Sequence, residues 1–256
     1  MRKPPHKARI LSTTGDSAWI ILRLAPMMPD MCFKMLFRSV IAASLLLPFA
    51  HADQDNQSVS QQVESDGFMV EKGFHMMFNG KDLTGWQTTG NWVVKEGNIV
   101  TLEPRDGEKG WTRYKDYITT TKKYGNFELK LDFKFNKRGN SGVFMRVGDL
   151  KDHVNSGFEV QILDTHGKEK FGHHDCGGVI RTVGPTKMMV KPAGEWNSYH
   201  ITVKDSQLTV VLNGEQIVDI DLSKTDMKDR PMEGYISFQD EGKPIWYRNV
   251  RIKTLP

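Results

Sequence analysis

"NFELKLDFKF" (126–135) decides the fold. At period two, Phe127, Leu129, Leu131, Phe133 and Phe135 fall on one face, and Glu128, Lys130, Asp132 and Lys134 fall on the other. One dry face and one wet face over this length is an antiparallel strand with a core on one side only. The same pattern extends outward in both directions. "NWVV", "NIVTL", "DYITT", "SGVFMRV", "GFEVQIL", "GGVIR", "SYHITV", "QLTVVL", "EQIVDI", "GYISFQ" and "IWYRNVRIK" all read as short strands. Turn chemistry such as "EGN", "KRGN" and "DEGKP" separates them. "QLTVVLNGEQIVDI" (207–220) is a hairpin closed by Asn213-Gly214, the strongest short hairpin signal. No stretch reads as a helix of about ten residues or more; "LSKTDMKDRP" (222–231) is read as a single helical turn. Roughly a dozen strands with so little helix predict an all-β fold of two packed antiparallel sheets, a sandwich or jelly roll.

The chain has 256 residues, 38% hydrophobic and 26% charged, enough for one sizeable core. Its formal charge of +4 is uneven. Residues 1–52 hold seven of the 35 Lys and Arg but two of the 31 Asp and Glu, which leaves 28 basic and 29 acidic residues in the body. No basic stripe remains, so nucleic acid is not an expected partner.

The basic leader reads as an export signal. "VIAASLLLPFA" (40–50) is an apolar stretch too short to span a bilayer, and "AHA" (50–52) fits a small-residue cleavage site. Cleavage is predicted after Ala52; the alternative is an uncleaved anchor. Residues 1–34 do not resemble a signal start and read as an upstream start-site artefact, with translation beginning at Met31 or Met35. Cys32 precedes the apolar stretch and is not a lipoprotein cysteine. The mature chain keeps only Cys176 and cannot form an internal disulfide. The expected organisation is a leader over 1–52, a linker over 53–72 and a jelly-roll domain over 73–256, without a membrane span in the mature protein. The expected location is periplasmic or secreted, and the oligomeric state is left open.

Seven stretches carry a family resemblance: "GFHMMFNGKDLTGW" (73–86), "YGNFELKLDFKF", "NSGVFMR", "GFEVQILD" (157–164), "PAGEWNSYHITVKDSQLTVVLNG", "EGYISFQ" and "IWYRNVRIK". In this order they resemble the 3-keto-disaccharide hydrolase domain family from Gly73 to about Lys253. The resemblance implies a concanavalin A-like jelly roll of two curved antiparallel sheets. It also implies secreted or periplasmic sugar chemistry on glycosides already oxidised to a ketone at carbon 3. One departure is local: "THGKEKFGHHDCGGVIRTVGP" (165–185) replaces the family's short loop and G-A-x-Y strand, so the family's loop residues are not carried over here.

"GFEVQILD" raises the question of chemistry. Phe158, Val160 and Ile162 share one face, and Glu159 and Gln161 share the other, about 7 Å apart. That second face is either a solvated sheet surface or the floor of a site. Glu159, Gln161 and Asp164 form E-x-Q-x-x-D, similar to the E-x-D-x-x-E of jelly-roll glucanases. However, Asp164 is five residues from Glu159 and falls on the opposite face unless a bulge intervenes. A retaining glycosidase needs two carboxyls about 5–5.5 Å apart, whereas one certain carboxylate suits a reaction with a single base.

Glu159 is therefore read as the base, with Asp164 or His166 as further catalytic candidates. Alternation in "NSGVFMR" puts Arg146 with Phe144, beside Glu159 if the two strands are neighbours. There it would grip sugar oxygens and keep the acid ionised, or form a purely structural pair. Trp246 and Arg248 share a face, as a stacking ring and a fork of donors for hydroxyls, or as a core Trp with an Arg at the rim. Gln239 is a weaker candidate of the same kind. Trp86, Trp92, Trp111 and Trp196 read as core, and Asn140 as a turn residue. The loop 164–176 offers Asp164, His166, His173, His174, Asp175 and Cys176 as donors for a divalent metal. None has a spacing tied to a known metal site, so no cofactor is expected.

The function read from the sequence is cleavage of 3-keto-glycosides by removal of the carbon-2 proton, elimination and rehydration, with an oligosaccharide or glycoside as partner. The alternatives are a non-catalytic sugar-binding module and a two-carboxylate glycanase. N-terminal sequencing of the protein from its native host is expected to begin at Asp53. A mature cytosolic protein beginning at Met1 overturns the export reading.

Overall fold

The computed structural model describes residues 62–63, 68–96, 99–104, 107–108 and 116–256. The leader with its cleavage point, Cys32, residues 53–61 and Trp111 lie outside the described residues. The strands in chain order are β1 (Gln62–Val63), β2 (Met69–Val70), β3 (His75–Met76), β4 (Trp86–Gln87), β5 (Trp92–Lys95), β6 (Ile99–Leu102), β7 (Ile118–Thr120), β8 (Phe127–Phe135) and β9 (Asn140–Val147). A short helix, α1 (His153–Ser156), leads into β10 (Phe158–Leu163). Then follow β11 (Asn197–Lys204), β12 (Gln207–Leu212), β13 (Glu215–Asp221), a single 3-10 turn (Leu222–Lys224), β14 (Tyr235–Phe238) and β15 (Ile245–Thr254).

Two antiparallel sheets pack face to face as a concanavalin A-like jelly roll. The smaller, five-stranded sheet runs β10-β9-β14-β7-β4. The larger, eight-stranded sheet runs β13-β12-β11-β8-β15-β6-β5, with β3 added on β15. β8 alternates over its whole length, with its apolar set buried and its charged set half-buried outside. From the larger sheet, Phe127, Leu129, Leu131, Phe133, Tyr199, Ile201 and Tyr247 enter the core; from the smaller sheet, Val143, Met145, Val160, Ile162, Ile236 and Phe238 meet them.

Three register shifts reset the alternation; one lies in the β12–β13 hairpin, between Val210 and Val211. In β15 the register slips between Arg248 and Arg251; the extra residue, Asn249, takes φ 53° and keeps Val250 and Ile252 turned inward. In β9 the pairing with β14 slips between Val147 and Phe144, where Arg146 takes φ 49°. The 207–220 hairpin closes as expected, with Asn213 and Gly214 both at positive φ.

Two stretches differ from the sequence reading. "GGVIR" is not a strand. Val179 makes only isolated bridges to Val160 and Val183, because positive φ at Gly177 and Arg181 bends the chain on either side. This segment still bonds the free edge of β10: Gln161 N–H donates to the Gly178 carbonyl, and Ile180 N–H donates to the Glu159 carbonyl. Within the stretch read as linker, β2 pairs with β1 and Val70 is buried. Glu71 accepts two bonds from Arg251, at 2.6 and 2.9 Å, and one from Lys130 at 3.2 Å. Among the described residues no helix is long and apolar enough to cross a membrane.

Leu131 is 1% exposed at the centre of the core. Leu131→Ala is expected to cost about 2–5 kcal/mol in chemical denaturation; an unchanged midpoint contradicts this placement.

Candidate active site

The outer face of the five-stranded sheet is built by strict alternation. β10 contributes Glu159 and Gln161, β9 contributes Asn140, Gly142 and Phe144, and β14 with the residue after it contributes Ser237 and Gln239. Tyr117 and Thr119 add the β7 row, where Thr119 and Ser237 bond side chain to side chain at 2.8 Å. Glu159 pairs across the strands with Phe144, and Gln161 with Gly142. The Glu159 side chain leans over Gly142, so that a Cβ at residue 142 would overlap its carboxyl oxygen. The glycine thus makes the hollow in which the acid lies.

Glu159 is 6% exposed, and its Oε1 has no hydrogen-bond partner. Among the described residues no Lys or Arg pairs with it. Burial, helped by the nearby charge of Glu241, pushes its pKa from 4.5 up to about 8. Other buried atoms without a partner belong to residues of this face or of the loop packed on it: Gln239 Oε1, Asn140 Oδ1 and His153 Nε2. Such groups each cost about 1–3 kcal/mol when unpaired, and a ligand with several hydroxyls satisfies oxygen acceptors placed this way. Gln239 Nε2 donates to the Tyr117 hydroxyl at 3.2 Å. The rings of Tyr117 and His153 lie 4.7 Å apart, and Tyr117 stacks on Phe144 at 5.4 Å.

Buried hydroxyls from both sheets hold these strands from behind. Tyr199 OH donates to the Gln161 carbonyl at 2.6 Å. Ser141 Oγ donates to the Gln239 carbonyl at 2.7 Å and lies 2.7 Å from Tyr247 OH. Cys176 is fully buried against Tyr199 OH, and burial lifts its thiol to about 11.

Of the residues singled out in the sequence, Glu159, Gln161 and Gln239 come together. Arg146 does not join them. Its bulge turns the guanidinium away to the Gly125 carbonyl (2.9 Å), the Asp205 carbonyl (2.7 Å) and Asn126 Oδ1 (3.1 Å). It is 1% exposed and ties β9 to turns of the larger sheet.

Trp246 and Arg248 share a face as expected, but it is the outer face of the larger sheet, on the other side of the sandwich. There Arg248 bonds Asp132 at 3.2 Å and lies 4.0 Å over the ring of Trp196. Lys134 sits between Trp196 and Trp246. Trp196 is therefore half-buried on that outer face rather than in the core, whereas Trp86 and Trp92 are core residues.

Asp164 lies about 16 Å along the strand from Glu159 by rise alone. It accepts the Arg138 N–H at 2.8 Å and so caps the β8–β9 turn. His166 Nδ1 bonds the Val190 carbonyl at 2.9 Å. In the loop after β10, His173 Nδ1 accepts the Arg181 N–H, and Asp175 pairs with Lys168. No three His, Cys, Asp or Glu side chains among the described residues converge as metal ligands. Sequence reasoning missed Tyr117 and Asn140, which period two in "DYITT" and "NSGVF" would have placed on this face. It also missed His153 and Glu241, which lie in connections where no period applies. A cavity of about 670 Å³ elsewhere, lined by His75, Trp86, Lys122, Tyr124 and Asn126 among others, contains neither Glu159 nor any of the orphaned atoms.

Fold and site together define a jelly roll with a buried, unpaired acid on one sheet face. Residues 73–253 match the 3-keto-alpha-glucoside-1,2-lyase-like domain family, and the chain belongs to it. It is 26% identical to a 3-keto-disaccharide hydrolase of Bacteroides thetaiotaomicron, over 84% of this chain and 87% of that protein. Two crystal structures of candidate glycosyl hydrolases from Parabacteroides distasonis are similar. One is 28% identical with a TM-score of 0.61, over 72% of this chain and 95% of that one. The other is 26% identical with a TM-score of 0.61, over 71% and 99%.

The raised pKa has a consequence for stability. Folded Glu159 keeps its proton up to about pH 8, whereas an unfolded chain releases it near 4.5. Stability is therefore undiminished below 4.5 and falls as pH rises toward 8, by about 3–5 kcal/mol in all. Glu159→Gln removes this loss, so its unfolding free energy relative to wild type is expected to grow by that amount between pH 5 and pH 9. A difference that does not change with pH contradicts the buried, titrating acid.

Proposed function

We propose that the protein is an exported enzyme that cleaves 3-keto-glycosides, with Glu159 as its base. Family membership supports the substrate class, and the leader supports export. The observation that carries the mechanism is Glu159 itself, a buried carboxyl without a cation, poised near neutrality.

A ketone at carbon 3 acidifies the proton on carbon 2. Ionised Glu159 takes that proton, and the bonding electrons pass into the ketone to give an enolate. As the ketone re-forms, the double bond moves between carbons 1 and 2 and the bond from carbon 1 to the leaving oxygen breaks. The proton now on Glu159 passes to that oxygen. Water then adds back, its oxygen to carbon 1 and a proton to carbon 2. The sum is one glycosidic bond and one water consumed. A carboxyl with a pKa of about 8 suits both halves of this exchange, because it can take a proton near neutrality and also give one up. Gln161, Gln239 and Asn140 receive the sugar hydroxyls. A substrate without the ketone has no acidic carbon-2 proton and is not cleaved by this route.

One observation favours a second reading. The charge of Glu241 reaches Glu159, and a pair of carboxyls flanking the scissile bond is the equipment of an ordinary glycosidase.

Product analysis with a 3-keto-glucoside and its unoxidised parent, with and without chelator, separates the readings. The ketone alone is expected to be cleaved, with solvent deuterium appearing at carbon 2 of the product. Glu159→Gln is expected to lower turnover by about two to four powers of ten while binding changes far less. With wild type, kcat/KM is expected to rise with pH through about 8 as Glu159 ionises. Equal cleavage of the parent supports the two-carboxylate reading, and binding without turnover supports a sugar-binding module. The chelator arm reports whether a divalent metal takes part.

A further inference from the structure

We infer that His153 is a second catalytic residue, whose neutral imidazole donates Nε2–H to the carbon-3 ketone oxygen and holds the charge that develops there. This rests on the reading above and names the group that completes it. Removing the carbon-2 proton leaves negative charge on the ketone oxygen. The residues already assigned give it a base and amide side chains for the sugar hydroxyls, and commit none of them to that oxygen.

His153 opens α1, the four-residue helix between β9 and β10. Asp152 fixes that turn by accepting the Asn155 N–H at 3.1 Å. The imidazole is packed rather than loose: its ring centroid is 4.7 Å from that of Tyr117 and 5.8 Å, edge to face, from that of Phe144. Phe144 is the register partner of Glu159, with Cβ atoms about 5 Å apart. Phe144 is thus the register partner of the acid and the edge-to-face neighbour of the imidazole, so both groups border the same ring. Nε2 is buried and has no partner, so its hydrogen bond is available to a ligand.

The charge state fits. Burial lowers the imidazole pKa, and this outweighs the upward pull of Asp116, Asp149 and Asp152. A neutral imidazole is a poor source of protons but a good hydrogen-bond donor to an enolate, and it does not pair with the base as an imidazolium would. No proton leaves His153 in this step. The carbon-2 proton goes to Glu159, and the Nε2–H···O bond strengthens as charge builds on the oxygen. Tyr117 links the two sides, with its ring against His153 and its hydroxyl receiving Gln239 Nε2.

The test uses His153→Phe, which keeps a ring in the packing but removes the donor, and His153→Gln, which restores an N–H. If the Phe variant melts early, His153→Ala replaces it. Turnover of the 3-keto-glucoside is expected to fall about 10²–10³-fold in His153→Phe and to recover in part in His153→Gln. Binding is then measured in a Glu159→Gln background, where no turnover intervenes. Adding His153→Phe there is expected to weaken binding of the 3-keto-glucoside and leave binding of its unoxidised parent unchanged. If wild type cleaves the ketone and the donor-less variant matches it within about threefold, the role of His153 is overturned while the base mechanism stands. Equal weakening for both sugars also overturns it, because that marks a packing role. If wild type does not cleave the ketone at all, the underlying reading fails and this inference falls with it.

Discussion

Glu159 lies at 6% exposure over Gly142, and taking a carboxylate out of water costs several kcal/mol unless a cation or a set of donors replaces the lost hydration. Nothing here replaces it, so the group keeps its proton instead of its charge. The rest of the site follows from that choice. An arginine placed beside the acid would have ionised it and tied up its oxygen. The sheet instead surrounds it with glycine, aromatic rings and amides, which exclude water and add no compensating charge.

Such an arrangement is stable only because the strands beneath it are fixed by other means. Tyr199 and the Ser141–Tyr247 pair reach through the core to carbonyls of β10 and of the residue after β14. Arg146 closes one end of the sandwich by donating to turns that belong to the larger sheet. On the far face, charged side chains lie over Trp196 and Trp246 and pair among themselves. The two outer faces therefore do different work. One holds exposed charges in mutual pairs, which suits a wet surface. The other holds unpaired polar atoms, which suits a surface that a ligand covers.

The fold was legible because its signals are local. The apolar set of β8 and the Asn213-Gly214 turn are read from adjacent residues, and neither depends on what packs against it. Glu159, Gln161 and Gln239 were legible for the same reason, since period two separates an inner from an outer side chain. Period two does not say to which sheet a strand belongs, and this is why Trp246 and Arg248 were read as sugar-binding candidates together with Glu159. Nor does it register a bulge: the single extra residue at Arg146 turns a side chain that alternation would have placed beside the acid. His153 was hidden for another reason. It sits on a four-residue helix in a connection, where position is set by the packing of Tyr117 and Phe144 rather than by any repeat.

The segment 177–180 bonds the backbone of β10 at Glu159 and Gln161, with the amide of Ile180 on one carbonyl and the carbonyl of Gly178 on the other residue's amide. Those bonds involve main-chain atoms, and Cys176, Val179 and Ile180 beside them are buried, so it is the exposed stretch 166–170 of the same loop that is free to change while the bonds remain. A lengthened or bent loop would then tilt the strand and the carboxyl with it by fractions of an ångström, without any change in the residues that meet the sugar. Drift in this loop is a route by which related chains can diverge in rate and substrate preference while the reacting groups stay the same.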